Sequence, residues 1–405
     1  DTGCQLIPEW GDIVVDYVNE IDDELEIEQI SDEEAYPFIT WVGEEVDEAY
    51  YKAVMGIEIN PGLDKSDFKI VYSPQHGADN IPVRTCLKRL GYDIVPVLAQ
   101  CAPDPDYTNT KSPNPEVDSS YELAIKLAKE VDADVVAITD PDGDRLGVVA
   151  KHNGEYVLMS GNQSAAVYLE YILSQRKEKG TLPDNAVMYN TIVTSDLGEL
   201  VARNYGVDVE KTLTGFKFIG DKIRKYEKTH EKQFIFGYEE SYGCVVEDFV
   251  RDKDAVQAVL LAAECGNYYK KQGKDLIDVL NELYAKYGTF KESQIALAKA
   301  GAAGAARIKE MMDTLRKDKP TEIGGVKVVL SEDYATSERS DGTTIDLPKS
   351  NVLKYYLEDG SWIAARPSGT EPKCKFYFSI KGTDAKDAAD KTEVFHKAMM
   401  ELIGE

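Results

Sequence analysis

Residues 135–149 constrain the fold of this chain more than any other stretch. Two apolar runs, Val135-Val136-Ala137-Ile138 and Leu146-Gly147-Val148-Val149, enclose Asp140-Pro141-Asp142-Gly143-Asp144-Arg145. Both runs read as buried strands, so the polar loop stands at strand ends and a sheet sets its position. Three carboxylates at alternate positions in one tight turn repel each other unless a cation neutralises them. Hard oxygen donors with no Cys or His beside them suit Mg²⁺ or Ca²⁺ and not zinc. Arg145 adds a fixed positive charge next to the acids, as a site handling phosphate requires. A solvated acidic turn, or Arg145 in a purely structural ion pair with the acids, are the plain alternatives. An EF-hand loop also begins Asp-x-Asp-x-Asp, but Arg145 stands where Gly is needed and Lys151 where a bidentate Glu belongs.

From residue 68 to 286 strand and helix signals alternate. Strands are expected at Phe68–Tyr72, Asp93–Pro96, on both sides of the acidic loop, and at Ala186–Val193, Val207–Thr212 and Gln233–Gly237. Helices are expected at Asn80–Leu90, from Asn114 to about Val131, and over Gly161–Gln175, Asp196–Tyr205, Gly215–Lys228, 253–272 and 275–286. This is α/β order, and the sheet around the acidic loop is expected to be largely parallel, with ligands at the carboxyl ends of its strands. Before it, residues 1–20 predict a turn and an amphipathic helix with Ile13, Val14, Tyr17 and Val18 inward. Glu20–Glu34 predicts a solvated connector or an exposed helix. After residue 287 strands outnumber helices, which predicts an α+β domain. The fold class is therefore α/β: tandem mixed α/β domains with an α+β C-terminal domain.

A chain of 405 residues is too long for one ordinary core, and two to four domains are expected. Its 46 basic and 73 acidic residues give a formal charge of −27, a surface that repels nucleic acid and anionic membranes. Neither is expected as a partner. Any anion site must instead be built from locally gathered cations and backbone N–H groups. The six cysteines show no CxxC spacing, which predicts reduced thiols and a cytoplasmic location. No apolar run has membrane-spanning length and no signal peptide is recognisable. The chain opens at Asp1, inside what reads as structured sequence, which predicts further residues upstream.

Four further motifs carry chemistry. Arg366-Pro367-Ser368-Gly369-Thr370-Glu371-Pro372 is an anion cradle: Arg366 can grip phosphate bidentately, Ser368 and Thr370 offer hydroxyls, and Gly369 lets backbone N–H groups approach. An ordinary Pro/Gly hairpin connection is the alternative. Glu239-Glu240-Ser241 supplies acceptors and a hydroxyl suited to sugar hydroxyls, although such a tripeptide is also common in surface loops. Lys217, after Thr214-Gly215-Phe216, can meet phosphate at a helix start, or be a solvated lysine. His76 follows a strand and either faces a cleft or is held by structural hydrogen bonds.

Taken together, DPDGDR at 140–145, TGFK at 214–217, EES at 239–241 and RPSGTEPK at 366–373 resemble the motifs of the α-D-phosphohexomutases, in that family's order and across essentially the whole chain. SPQHG at 73–77 and PNPE at 113–116 agree. The resemblance implies a phosphoserine domain, a metal domain, a sugar domain and a phosphate domain around one cleft. On this chain those would be residues 1–45 (a remnant of the first), 46–158, 159–286 and 287–405. It implies that Asp140, Asp142 and Asp144 hold Mg²⁺, with Arg145 near the reacting phosphate. Glu239 and Ser241 would bind sugar hydroxyls, Lys217 phosphate, and Arg366, Ser368, Gly369 and Thr370 the phosphate that is not reacting. The implied activity is a phosphoglucomutase-like interconversion of hexose 1- and 6-phosphates through a phosphoserine and a bisphosphorylated sugar. Mannose, glucosamine or pentose phosphates, or a non-catalytic sugar-phosphate binder, are the alternatives. Two departures stand out. The family's Ser-His-Asn-Pro type loop, which carries the nucleophile, does not occur in these residues, so the chain alone is expected to be inactive. Asn190 stands where many members have Lys.

Overall fold

The computed structural model describes residues 3–369 and 371–405. In chain order, α1 (Pro8–Asn19), α2 (Asp32–Ala35) and α3 (Glu44–Met55) precede β1 (Lys69–Ser73), α4 (Asn80–Leu90), β2 (Asp93–Pro96), α5 (Glu122–Val131), β3 (Val135–Thr139), β4 (Leu146–His152) and β5 (Glu155–Met159). Next come α6 (Gly161–Glu178), β6 (Ala186–Thr191), α7 (Leu197–Asn204), β7 (Asp208–Thr212), α8 (Phe216–Thr229), β8 (Gln233–Tyr238), β9 (Cys244–Val245), α9 (Ala255–Lys270) and α10 (Leu276–Tyr287). The chain ends with β10 (Thr289–Ala298), α11 (Gly301–Lys317), β11 (Glu322–Ile323), β12 (Val326–Asp333), β13 (Glu338–Arg339), β14 (Leu353–Leu357), β15 (Trp362–Pro367), β16 (Lys373–Gly382) and α12 (Ala385–Leu402). No helix among the described residues is long and apolar enough to cross a membrane. The residues form two compact units. The first takes the chain up to Gly161, Ser174–Tyr189 and Gly215–Leu276; the second takes Asn162–Leu173, Asn190–Thr214 and Ile277–Glu405.

In the first unit a five-stranded sheet has the order β2-β1-β3-β4-β5. Its β2, β1 and β3 are parallel, whereas β3/β4 and β4/β5 are antiparallel. The largely parallel sheet expected from the sequence is therefore half antiparallel. The reason is length: six residues join β3 to β4, and a parallel crossover needs about a dozen. Every residue of β3 is buried, because both faces are covered. Val136, Ile138, Val71 and Val149 pack with Ala124 and Ala128 of α5. On the other face lies α9, whose small apolar residues are buried all round. Its Gly266 lies so close to Phe68 that an added Cβ would come within 2.8 Å of that ring.

Two local expectations fail. In α1, Ile13, Val14, Tyr17 and Val18 are not inward; they are 46–67% exposed, and no residue of the helix is buried. The apolar periodicity is real, but within these residues nothing covers it. The helix expected from Asn114 begins only at Glu122. The Asn114 side chain accepts from Glu116 N–H at 2.9 Å, and Ser120 Oγ donates to the carbonyls of Ser112 and Asn114. These local bonds occupy groups that a helix would use.

In the same unit β6 pairs in parallel with β8, and β8 antiparallel with β9. The second unit holds an antiparallel sheet in the order β10-β16-β15-β14-β12-β11. One face, with Tyr355, Leu357, Ile363, Phe376 and Phe378, packs on Met311 and Leu315 of α11 and Phe395 and Met399 of α12. This is the α+β arrangement expected.

Candidate active site

The acidic loop leaves β3 at its carboxyl end and returns into β4. Asp140 shapes it: one carboxylate oxygen accepts the N–H groups of Asp144 and Arg145 at 3.1 and 2.9 Å. Gly143, at φ +76°, closes the turn, and its N–H reaches the Asp140 carbonyl at 3.2 Å. One oxygen from each of Asp140, Asp142 and Asp144 lies within 4.8 Å of the others. Asp140 is buried, Asp142 exposed and Asp144 between the two. Burial, resisted by the Arg145 N–H and reinforced by the charges of Asp144 and Asp142, pushes the Asp140 carboxyl up to about 7. An enclosed cation would remove that penalty.

Two cations press on the loop. Arg145 Nη1 pairs with Glu116 at 2.7 Å, while its Nε lies 3.7 and 3.6 Å from Asp140 and Asp144. The arginine is thus oriented by Glu116, with its remaining donors toward the acids. Lys253 Nζ contacts Asp144 at 3.0 Å and lies 5.7 Å from the Phe216 ring centre. Its stem runs over Gly243, where a Cβ would come 2.2 Å from Lys253 Cδ. Burial works against the Lys253 charge, but Asp144 and Asp252 outweigh it and hold the ammonium above its ordinary range. Lys253 was not singled out as a site residue: the sequence places it only at the start of the helix expected over 253–272. Its signal was the position immediately before a helix with no polar face, since α9 has to start at the edge of a core.

The main chain stitches this loop to the segment that carries Glu239 and Lys253. Leu146 N–H donates to the Tyr242 carbonyl and Ala255 N–H to the Gly143 carbonyl, both at 3.0 Å. Asp254 caps α9 through Val256 and Gln257 N–H and also accepts from the Tyr50 hydroxyl. Glu239 is 5% exposed and accepts the Gly215 N–H at 2.8 Å, joining the EES and TGFK loops. Burial first and Glu240 second push its carboxyl up to about 7. Ser241 and Lys217 are half-buried, and Lys217 Nζ stands 5.4 Å from the Phe218 ring. The first unit therefore gathers Asp140, Asp142, Asp144, Arg145, Lys217, Glu239 and Ser241. His76, at φ +65°, is held through Nδ1 by the Ala102 carbonyl at 2.7 Å, the structural alternative raised for it.

Arg366, Ser368 and Gly369 belong to the second unit; Thr370 lies outside the described residues. Arg366 sits opposite Lys375 in the β15–β16 ladder. Ser368 N–H donates to the Lys373 carbonyl at 2.8 Å, and its hydroxyl accepts Glu371 N–H at 3.3 Å. These bonds make the segment a hairpin connection between β15 and β16. Beside it a cavity of about 600 Å³ is lined by Ile308, Met312 and Arg316 together with Ser368 and Gly369. Asn190, in the same unit, is fully buried, and neither of its amide atoms has a hydrogen-bond partner among the described residues.

Three consecutive stretches match family patterns: residues 48–154 the phosphoglucomutase/phosphomannomutase alpha/beta/alpha domain II, 160–287 its domain III, and 303–396 its C-terminal domain. The phosphoglucomutase of Staphylococcus aureus (strain MRSA252) is 36% identical over 396 residues, covering 96% of this chain and 70% of its own length. That of Staphylococcus haemolyticus is 35% identical, with 93% and 69% covered. Among solved structures, parafusin (phosphoglucomutase) from Paramecium, in its open form, superposes with a TM-score of 0.66 at 18% identity. A phosphoglucomutase/phosphomannomutase family protein from Burkholderia thailandensis gives 0.62 at 18%. Both cover 88% of this chain, which spans 63% and 64% of theirs. From its three matched domains and its identity to these relatives, the chain belongs to the α-D-phosphohexomutase (phosphoglucomutase/phosphomannomutase) family.

Proposed function

We propose that this chain carries the metal-, sugar- and phosphate-binding parts of a cytoplasmic phosphohexomutase that interconverts glucose 1-phosphate and glucose 6-phosphate. The observation that carries it is the convergence of three carboxylates, Arg145 and Lys253 on one loop tied to the Glu239 loop. We assign metal binding to residues 46–158, sugar recognition to 159–286 and phosphate binding to 287–405, with 1–45 belonging to a phosphoserine domain. The serine nucleophile is taken to lie outside these 405 residues, because no loop of the required type occurs in them. Six scattered cysteines without CxxC spacing fit a reducing compartment.

The residues fit Mg²⁺. The donors are hard oxygens, and the buried Asp144 Oδ1 has no hydrogen-bond donor among the described residues. Asp140, Asp142 and Asp144 would hold the ion, which when bound offsets the charge on the phosphoryl oxygens. Arg145, braced by Glu116, keeps a guanidinium donor beside the group in transfer. Lys253 keeps a proton and a positive charge on the far side of Asp144. Glu239 binds and orients: it fixes the start of α8 through Gly215 N–H and offers its other oxygen to a sugar hydroxyl. Arg366 and Ser368, in the second unit, would grip a phosphate of the sugar substrate.

The test is conversion of glucose 1-phosphate to glucose 6-phosphate with Mg²⁺ and a trace of glucose 1,6-bisphosphate. It is run on the 405 residues and on the complete product of the gene. Turnover by the complete product, lost on substituting Asp142 by Asn, supports the assignment. Absence of turnover in both overturns the glucose assignment and leaves another sugar phosphate or a non-catalytic binder.

A further inference from the structure

The second face of the C-terminal sheet holds a lysine where an aliphatic residue would pack. Lys354, in β14, is 0% exposed. Its Nζ donates to the Ile192 carbonyl at 2.7 Å and lies 4.0 Å from the Trp362 ring centre and 4.7 Å from that of Tyr356. Ile192 is held from its other side, since its N–H donates to the Thr212 carbonyl at 2.9 Å. Beside it Lys211 pairs with Asp196 at 3.1 Å and with Glu199. Both ends of the Lys354–Ile192 bond thus sit in fixed surroundings, and all of these residues belong to the second unit.

A buried ammonium destabilises the fold unless it is compensated. Methionine would fill the same space without that cost, so what lysine adds is the donor and the charge. Burial and the neighbouring Lys211 pull the Lys354 ammonium down to about 7, and the charges of Asp196, Glu199 and Glu332 work against that.

The ladder shows what the bond controls. Lys354 stands opposite Ala364 and Tyr356 opposite Trp362, so the lysine and its ring partner lie on the β14–β15 pair that runs directly into Arg366. We infer that Lys354 is a positioning residue: through Ile192 and Trp362 it pins the β14–β15 ladder, and with it the Arg366–Ser368 hairpin, to the 190–196 segment. The inference rests on the function proposed above only where it takes Arg366 and Ser368 to contact a ligand phosphate.

The experiment uses the 405-residue chain and its Lys354→Met, Lys354→Arg and Trp362→Phe variants. Amide hydrogen exchange reports the pin without any ligand, and calorimetric titration of glucose 6-phosphate with Mg²⁺ reports its effect on binding. Lys354→Met is expected to raise exchange about tenfold in peptides covering 190–196 and 362–369, and to leave β1–β5 unchanged. Affinity for glucose 6-phosphate should fall about 5- to 20-fold. Lys354→Arg, which keeps a donor and a charge over the rings, should restore both to within about threefold. If Lys354→Met does not fold, Trp362→Phe decides: it should raise exchange at 190–196 about two- to threefold. Unchanged exchange at 190–196 in a folded variant, or failure of Arg to restore it, overturns the inference. Absence of glucose 6-phosphate binding by the unaltered chain would refute the proposed function, and the exchange result would still judge Lys354.

Discussion

Gly143→Ala tests how tightly the acidic loop is built. The residue sits at φ +76°, where an alanine costs about 1 kcal/mol or more. A Cβ there would lie 2.3 Å from Asp79 Oδ1 and 2.6 Å from its Cγ. Asp79 is 6% exposed and cannot swing into solvent, so the overlap adds about 1–3 kcal/mol as overpacking. The expected total is about 2–4 kcal/mol of stability, read by urea unfolding. The loop can relieve the overlap only by moving Gly143, which spreads the three carboxylates. Mg²⁺ affinity, read by calorimetry, should therefore fall about 10- to 100-fold, or about 1.4–2.8 kcal/mol. The double variant Gly143→Ala/Asp79→Ala separates the two costs. Asp79 stands before α4 without a side-chain cap bond, and its buried Oδ2 has no hydrogen-bond partner among the described residues, so its removal breaks no cap. It should return the overlap cost and leave only the dihedral cost. Mg²⁺ affinity within twofold in Gly143→Ala, or a double variant as unstable as the single, would refute this reasoning.

Asp142→Asn, at the exposed member of the three acids, should weaken Mg²⁺ at least about tenfold while leaving the unfolding midpoint nearly unchanged. Asp140→Ala should lose about 1–3 kcal/mol of stability as well as the metal, because it orphans the Asp144 and Arg145 N–H groups. Glu239 is held neutral by the fold up to about 7 against an ordinary 4.5, so between those values the folded state binds more protons than the unfolded one. Its contribution, on the order of 3 kcal/mol, is present at low pH and lost as pH rises from about 4.5 to about 7. Glu239→Gln should remove that part of the pH dependence in unfolding experiments. Five of the six thiols are buried, and burial pushes those of Cys86, Cys244 and Cys374 up to about 11, 12 and 12, so titration of the native chain with a thiol reagent should show a single fast reaction, at Cys4.

Most of the fold could be read from the sequence because strand and helix signals were separated by clear stops. The Asn80–Leu90 and Asp93–Pro96 spans agree with expectation, helped by Gly91 in the left-handed region between them. What could not be read was contact at a distance. Periodicity placed Ile13 and Val14 on one face of α1, but a pattern does not say whether anything covers it. The reversal of β4 followed from a six-residue connection, a length that outranks the α/β habit of the surrounding chain. At the site, the three aspartates were legible because their spacing is local. Lys253 was not, because its partner Asp144 is more than a hundred residues away. Glu239 was read as a sugar ligand, and its bond to Gly215 N–H adds a structural duty that only the folded chain reveals.

The stitching of the acidic loop has a consequence for synthesis. The bonds from Leu146 N–H to Tyr242 and from Ala255 N–H to Gly143 close the loop with residues translated about a hundred positions after it. At about 5–20 residues per second, Asp140, Asp142 and Asp144 leave the ribosome on the order of ten seconds before those partners do. During that interval β3 and β4 can pair locally, yet the face of the sheet that α9 covers stays wet, since α9 is made last of all its neighbours. The first unit is thus finished from its third segment backwards, and a chain stopped before Ala255 would carry every acidic ligand without the helix that closes its sheet.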